Sequence, residues 1–238
     1  MRGPRGYFNQ LKLLARNYRY QKLHVSNIED LIQNHFSTWS EPDHLNRDIF
    51  YVALKALAGA PARIIETGTS AWGTDSTRLW DSYIRKFGGS FTSVDIRREA
   101  SQRLKGQLSK KSCLLVNDSV DFLANESNQP ADLYFLDSWD MDLSDPLPSA
   151  QHGLNEYIAI EPHLTAGTLI LIDDTPCALR IGEIQKLPPK AIEFIEKYNN
   201  LPGKGAFICQ ELNKKFEFET LLNDYALLVR VVKRKNAV

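Results

Sequence analysis

Cysteine is scarce in this chain and neither sign of charge is in excess. Only three of 238 residues are cysteine, Cys113, Cys177 and Cys209, far apart and odd in number. That excludes a disulfide scaffold and a cysteine metal site, reads them as small core residues, and suits a reduced, cytoplasmic compartment. The formal net charge is zero, which removes the electrostatic basis for nonspecific nucleic-acid binding. No apolar run reaches the roughly 18 residues that a spanning helix needs. Internal repeats, low-complexity segments and dividing linkers are also missing. What is present is a hydrophobic fraction of 43% in a chain long enough to bury a sizeable core.

The amino terminus departs from this neutrality. Residues 1–28 carry Arg2, Arg5, Lys12, Arg16, Arg19 and Lys22 with no acid before Glu29, and Tyr7, Leu11, Leu14 and Tyr18 fall at helical spacing. The pattern predicts a basic amphipathic helix in an extension spanning residues 1–42, followed by one domain over 43–238. Packing on the domain with a solvated basic face, weak peripheral contact with a membrane surface and a transit sequence all fit that helix.

From residue 43 onward helix and strand alternate, the rhythm of a parallel sheet. Helix 43–60 precedes strand 63–68. Helix 74–87, closed by Gly88-Gly89, leads to strand 91–96, and helix 98–110 leads to strand 113–117. A short helix at 119–125, strand 131–137, helix 149–163 and strand 168–174 complete five strands. A helix near 189–199 is followed by two strands close in sequence, expected at 206–211 and 225–232, which only a turn or hairpin can join. The predicted fold class is α/β, a doubly wound, mostly parallel seven-stranded Rossmann-like sheet ending in an antiparallel hairpin.

The first strand breaks into Glu66-Thr67-Gly68-Thr69-Ser70-Ala71-Trp72-Gly73, and the next ends at Asp95. Glycine lets a backbone turn sharply and approach a ligand, and a carboxylate at the end of the second strand accepts hydrogen bonds from ribose hydroxyls. The full G-x-G-x-x-G fingerprint is missing, which argues against a bound pyrophosphate. In an open α/β sheet ligands bind outside the carboxyl ends of the strands. All five ends carry an acid there: Glu66, Asp95, Asp118 beside Ser119, Asp137, and Asp173-Asp174. Turn and helix-cap preferences account for any one of them, less readily for all five. Asp137, Asp173 and Asp174 belong to strands expected to be neighbours. Three carboxylates so close require a proton or a cation, and all-oxygen ligation suits Mg²⁺.

The segments Asp132-Leu133-Tyr134-Phe135-Leu136-Asp137-Ser138-Trp139-Asp140 and Leu169-Ile170-Leu171-Ile172-Asp173-Asp174 resemble the metal-dependent O-methyltransferases, a group of class I S-adenosylmethionine methyltransferases that includes catechol and antibiotic-pathway sugar enzymes. The resemblance covers roughly residues 45–235. It implies that Glu66, Gly68 and Ser70 line the methionine end of S-adenosylmethionine, that Asp95 binds its ribose, that Asp118 and Ser119 lie by the adenine, and that Asp137 meets the cofactor as well as the metal. It implies a Mg²⁺ ion on Asp137, Asp173 and Asp174 that binds the acceptor hydroxyl, and a small-molecule or carbohydrate acceptor; a homo-oligomer is compatible with it. The catechol enzymes carry a lysine base where this chain has Asp140, and an asparagine at the position of Asp174. The base is therefore open between Asp140 and His152, with a solvated acidic loop as the alternative for Asp140. An NAD(P)-dependent oxidoreductase and a noncatalytic binding protein on the same fold are the competing classes.

Overall fold

In the computed structural model the described residues are 15, 25–70, 73–125, 130–184 and 186–236. The expected basic helix of residues 1–28 lies almost wholly outside them, as do Ala71 and Trp72 of the glycine turn. The elements run α1 Ile28–Thr38, α2 Arg47–Ala56, β1 Ala62–Thr67, α3 Ser76–Phe87, β2 Gly89–Asp95, α4 Arg98–Leu104, β3 Ser112–Val116 and α5 Ser119–Asn125. They continue with β4 Leu133–Leu136, α6 Leu147–Ile160, β5 Leu169–Ile172, α7 Ala178–Gly182, α8 Pro189–Tyr198, α9 Ile208–Lys215, β6 Phe216–Asn223 and β7 Leu227–Arg234.

The seven strands form one sheet in the order β3-β2-β1-β4-β5-β7-β6. The four pairings among β1 to β5 are all parallel, and β7 pairs antiparallel with both β5 and β6. The central strands are short continuous apolar runs because both faces are covered. In β4, Leu133 and Phe135 enter the core shared with α1, α2 and α3, while Tyr134 and Leu136 enter the core on the other face with Tyr157 and Ile160 of α6 and Ile208 and Leu212 of α9. In β5, Leu169 and Leu171 divide from Ile170 and Ile172 in the same way. Each fully buried side chain of this kind stabilises the fold by about 1.5–3 kcal/mol relative to exposure. Phe50, Trp80 and Phe135 lock α2, α3 and β4 together, with ring centroids 5.4–5.9 Å apart.

α1 is part of this core through Leu31, Ile32 and Phe36. It begins at Asn27, whose side chain accepts from Asp30 N at 2.8 Å, satisfying one of the orphan donors of the first turn. Its fully buried His35 reaches Thr74 O at 2.6 Å, which ties the helix to the loop after β1.

The sixth strand corrects the expectation. Residues 206–211 do not form it; they lead into α9, and the strand is Phe216–Asn223. The apolar run at 206–209 is ambiguous by itself, but Ile208 and Leu212 are buried at the four-residue spacing of a helix face. Phe216-Glu217-Phe218-Glu219 alternates with the period of a strand. Glu217 and Glu219 sit on the exposed side of the hairpin, paired with Lys233 and Arg230.

Candidate functional site

Two cavities meet along the carboxyl edge of the parallel strands. The first, about 320 Å³, is walled by residues that include Asp95, Ile96, Asp118, Ser119, Trp139 and His152. The second, about 490 Å³, is walled by residues that include Asn46, Ser70, Asp137, Asp173, Asp174 and Tyr225. Gly68, Arg97 and Asp140 line both. Each volume lies within the range of about 300–1,000 Å³ usual for small-molecule sites.

Gly68 is the floor of the junction. Its φ is +79°, and a Cβ there would lie 2.0 Å from the Asp137 carbonyl oxygen and 2.8 Å from Ser138 Cα. Only glycine lets the ends of β1 and β4 approach this closely. Glu66, expected at the methionine end of a cofactor, faces neither cavity. It is fully buried, and its carboxylate accepts from the hydroxyls of Ser76, Thr77 and Ser93, each at 2.6 Å. Burial pushes its pKa from 4.5 up to about 7 against the pull of those hydroxyls. The residue therefore fastens α3 and β2 to β1 from behind the turn.

Asp95 does face the first cavity, but it is not free. Arg97 grips it through Nε at 3.0 Å and Nη2 at 2.7 Å, and the Arg97 backbone N donates to the same carboxylate at 2.7 Å. Asp118 has a double role: it lines the cavity and its Oδ1 accepts from Asp121 N, so it caps α5. The apolar faces of Ile96 and Trp139, 72% and 51% exposed, flank this space.

His152 belongs to the first cavity and not to the acidic one. Its Nε2 lies 2.7 Å from Ser138 Oγ and 3.2 Å from Ser119 Oγ. Ser138 Oγ donates to the buried Glu156 at 2.7 Å, and a hydroxyl has one proton, so it accepts from His152 Nε2. That nitrogen is committed as a donor, and the ring packs 5.3 Å from Trp139. Of the two base candidates, Asp140 alone borders both cavities.

Behind the acidic wall lies a residue that the sequence reading missed. Lys204 is 1% exposed, and its Nζ lies 2.6 Å from Asp137 Oδ1 and 3.4 Å from Asp174 Oδ2. Burial alone would lower its pKa, but the coulombic pull of Asp137, Asp173 and Asp174 outweighs it and holds the ammonium well above its ordinary value. Burial raises Asp137, against Lys204 and with Asp173.

Further oxygens of these carboxylates are engaged as well. Asn46 Nδ2 donates to Asp173 Oδ1 at 2.8 Å. Tyr225 Oη donates to Asp174 Oδ1 at 2.6 Å, and Met141 N donates to Asp174 Oδ2 at 2.9 Å. Burial, with Asp174 beside it, pushes the Tyr225 hydroxyl up and keeps it protonated. These donors compete with Mg²⁺ for the same oxygens. The three strand-end carboxylates do converge, but onto an ammonium, an amide, a phenol and a backbone N–H; among the described residues no group of His, Cys, Asp and Glu is arranged to hold a metal ion. Asn46 Oδ1 remains buried without a hydrogen-bond partner at the wall of this cavity, an acceptor suited to a ligand's hydroxyl or ammonium.

Signals for the missed residues were faint. Lys204 stands between Gly203 and Gly205 in a loop, and Tyr225 in a turn before β7. The glycines are required by close approach: a Cβ on Gly203 would be 2.5 Å from Asp174 O, and one on Gly205 2.4 Å from Thr175 Cγ2. Gly153 of α6 gives the same clearance to Lys204 O, at 2.5 Å.

The sheet order and its reversed β7 define the fold of the class I S-adenosylmethionine-dependent methyltransferases. An all-parallel dinucleotide fold has no such reversed strand at the penultimate position of its sheet. Among solved structures the chain is similar to the MycE methyltransferase of the mycinamycin biosynthetic pathway, in complex with Mg, SAH and mycinamycin VI. That match has a TM-score of 0.57 and 15% identity, over 91% of this chain and 57% of that one. It is also similar to the SAH-bound methyltransferase PaMTH1 of Podospora anserina, with a TM-score of 0.50 and 14% identity over 97% of both chains. At these identities the likeness is one of fold, and this chain spans little more than half the length of the MycE chain. Neither a protein-family model nor a curated protein matches it.

Proposed function

We propose that the two cavities form one cleft for S-adenosylmethionine and a methyl acceptor, and that the protein transfers the methyl group to a hydroxyl of a small molecule or sugar. The observation that carries this reading is the junction at Gly68, Arg97 and Asp140, which joins a space ending in the β2 carboxylate to a space lined by acceptor groups. The first suits a nucleoside: Asp95 for the ribose, Ile96 and Trp139 for the base, Asp118 and Ser119 at its edge. Arg97 is 53% exposed at its side chain and can swing off Asp95 as ribose hydroxyls replace it. When bound, the sulfonium supplies an electrophilic methyl group.

The chain's own residues would do the rest. Gly68 keeps the floor flat where the two ligands meet. Asn46 Oδ1 and the acidic wall would orient the donor groups of a polyhydroxylated acceptor. Asp140 would take the hydroxyl proton as the oxygen–carbon bond forms and the carbon–sulfur bond breaks, and then lose it to solvent. The contact of His35 with Thr74 O holds Thr74 at the wall of the acceptor space.

Calorimetry with S-adenosylmethionine and with NADH, followed by a screen of hydroxylated acceptors with a labelled methyl donor, tests the reading. Binding of the first and labelling of an acceptor hydroxyl are expected. NADH binding without a response to S-adenosylmethionine would sink it, and cofactor binding without transfer would favour a binding protein.

A further inference from the structure

The mismatch between the acidic strand ends and a divalent ion has a constructive side. We propose that the Lys204 ammonium is the resident cation of this site, bridging Asp137 and Asp174 and offsetting part of their charge from within the protein, so that the cleft works without a metal ion. The statement about the cation rests on the geometry alone; its extension to methyl transfer rests on the function proposed above.

Three observations support it. Lys204 Nζ contacts the ends of both β4 and β5, through Asp137 at 2.6 Å and Asp174 at 3.4 Å, which is the bridging position between these neighbouring strands. Its backbone is locked: Lys204 N donates to Asp174 O at 3.0 Å, Gly205 N donates to Thr175 Oγ1 at 3.0 Å, and Gly153 and Gly203 leave no room for a Cβ beside Lys204 O and Asp174 O. The main chain thus fixes where the side chain starts, and the burial of that side chain, 2% exposed, limits where it can go. Finally, Asp173 Oδ1 and Asp174 Oδ1 are held by Asn46 and Tyr225, and Asp174 Oδ2, which also faces Lys204, accepts from Met141 N; these are hydrogen-bond donors and so repel a cation.

A point charge with several donors can hold two carboxylates in register much as a small divalent ion does, but it adds no open coordination position. Lys204 is thus a positioning residue that acts through Asp137 and Asp174, and it does not touch the acceptor.

Manganese binding to the full chain, read by electron paramagnetic resonance, tests this without any turnover. The wild-type protein is expected to leave Mn²⁺ free at millimolar concentration, and its S-adenosylmethionine affinity, measured by calorimetry, to be the same in chelator and in Mg²⁺. Lys204→Ala exposes uncompensated carboxylates and should bind Mn²⁺ at least roughly tenfold more tightly than wild type. Methylammonium, which refills the lost charge, should compete with that Mn²⁺ and restore thermal stability. One Mn²⁺ per wild-type chain, lost in Asp173→Asn, would overturn the proposal. So would a folded Lys204→Ala protein that is as blind to Mn²⁺ as wild type and indifferent to methylammonium. If that variant does not fold, the wild-type manganese titration decides the matter by itself. Failure to bind S-adenosylmethionine at all would strike the proposed function and leave the manganese result standing.

Discussion

Replacing Glu66 by Gln should make the protein gain on wild type as the pH rises. Glu66 is buried with its two oxygens shared among Ser76, Thr77 and Ser93, and burial moves its pKa from 4.5 to about 7. The folded chain thus holds this proton more tightly than the unfolded chain. The penalty for burying the charge is absent below about pH 4.5, grows towards pH 7 and is constant above it. At about 1.4 kcal/mol for each tenfold difference in proton affinity, the interval is worth about 3 kcal/mol. Gln is isosteric and does not titrate. Its amide obliges one of the three hydroxyls to accept instead of donate, an offset of about 1 kcal/mol that does not change with pH. The measured quantity is therefore the wild-type minus variant difference from urea unfolding at pH 4 and at pH 8, in which every other titration cancels. The variant should improve by about 3 kcal/mol relative to wild type between those values. A difference constant to within about 0.5 kcal/mol would show that the hydroxyls compensate the buried charge in full, and would refute the reasoning.

Gly68→Ala should cost about 3 kcal/mol or more, read as a lower urea midpoint, because its Cβ would fall 2.0 Å from Asp137 O at a φ of +79°. Arg97→Ala should tighten SAH binding by up to about fivefold in calorimetry, since the ion pair it breaks is half exposed and worth at most about 1 kcal/mol; weaker binding would mean that Arg97 itself holds the ligand. Asp140→Asn should lower kcat by about 10²–10⁴ with SAH affinity unchanged, and an unaltered kcat would remove it as the base.

Much of the fold was legible because the central strands are short unbroken apolar runs separated by helical periodicity and glycine turns. Leu133–Leu136 and Leu169–Ile172 announce themselves, and each ends in a carboxylate on the ligand-binding edge. The sixth strand was misplaced because Ala206-Phe207-Ile208-Cys209 is apolar without a period, and only packing against β7 and α6 decides what it becomes. At the site, the residues at strand ends were found and those that answer them were not. Asp137, Asp173 and Asp174 follow from topology. Lys204, Asn46 and Tyr225 reach them from a loop, a helix cap and a turn, where nothing local reports what the side chain will meet. Glu66 shows the converse: a strand-end acid that, seen in sequence, looks like a ligand contact and in the structure faces inward to three hydroxyls.

The acidic wall is held by contacts between residues very distant in the chain. Asn46 and Asp173 are 127 positions apart, Asp137 and Lys204 are 67 apart, and Asp174 and Tyr225 are 51 apart. Two of these partners, Lys204 and Tyr225, lie near the end of the chain, so the wall is finished only after they have been synthesised. The first cavity draws on the ends of β1, β2, β3 and β4 and on His152 of α6, all of them encoded before the last third of the chain. The acceptor side waits for β7 to pair with β5 and bring Tyr225 beside Asp174. On the function proposed above, every residue that lines the nucleoside space is thus synthesised before Lys204 and Tyr225, which complete the acidic wall beside it.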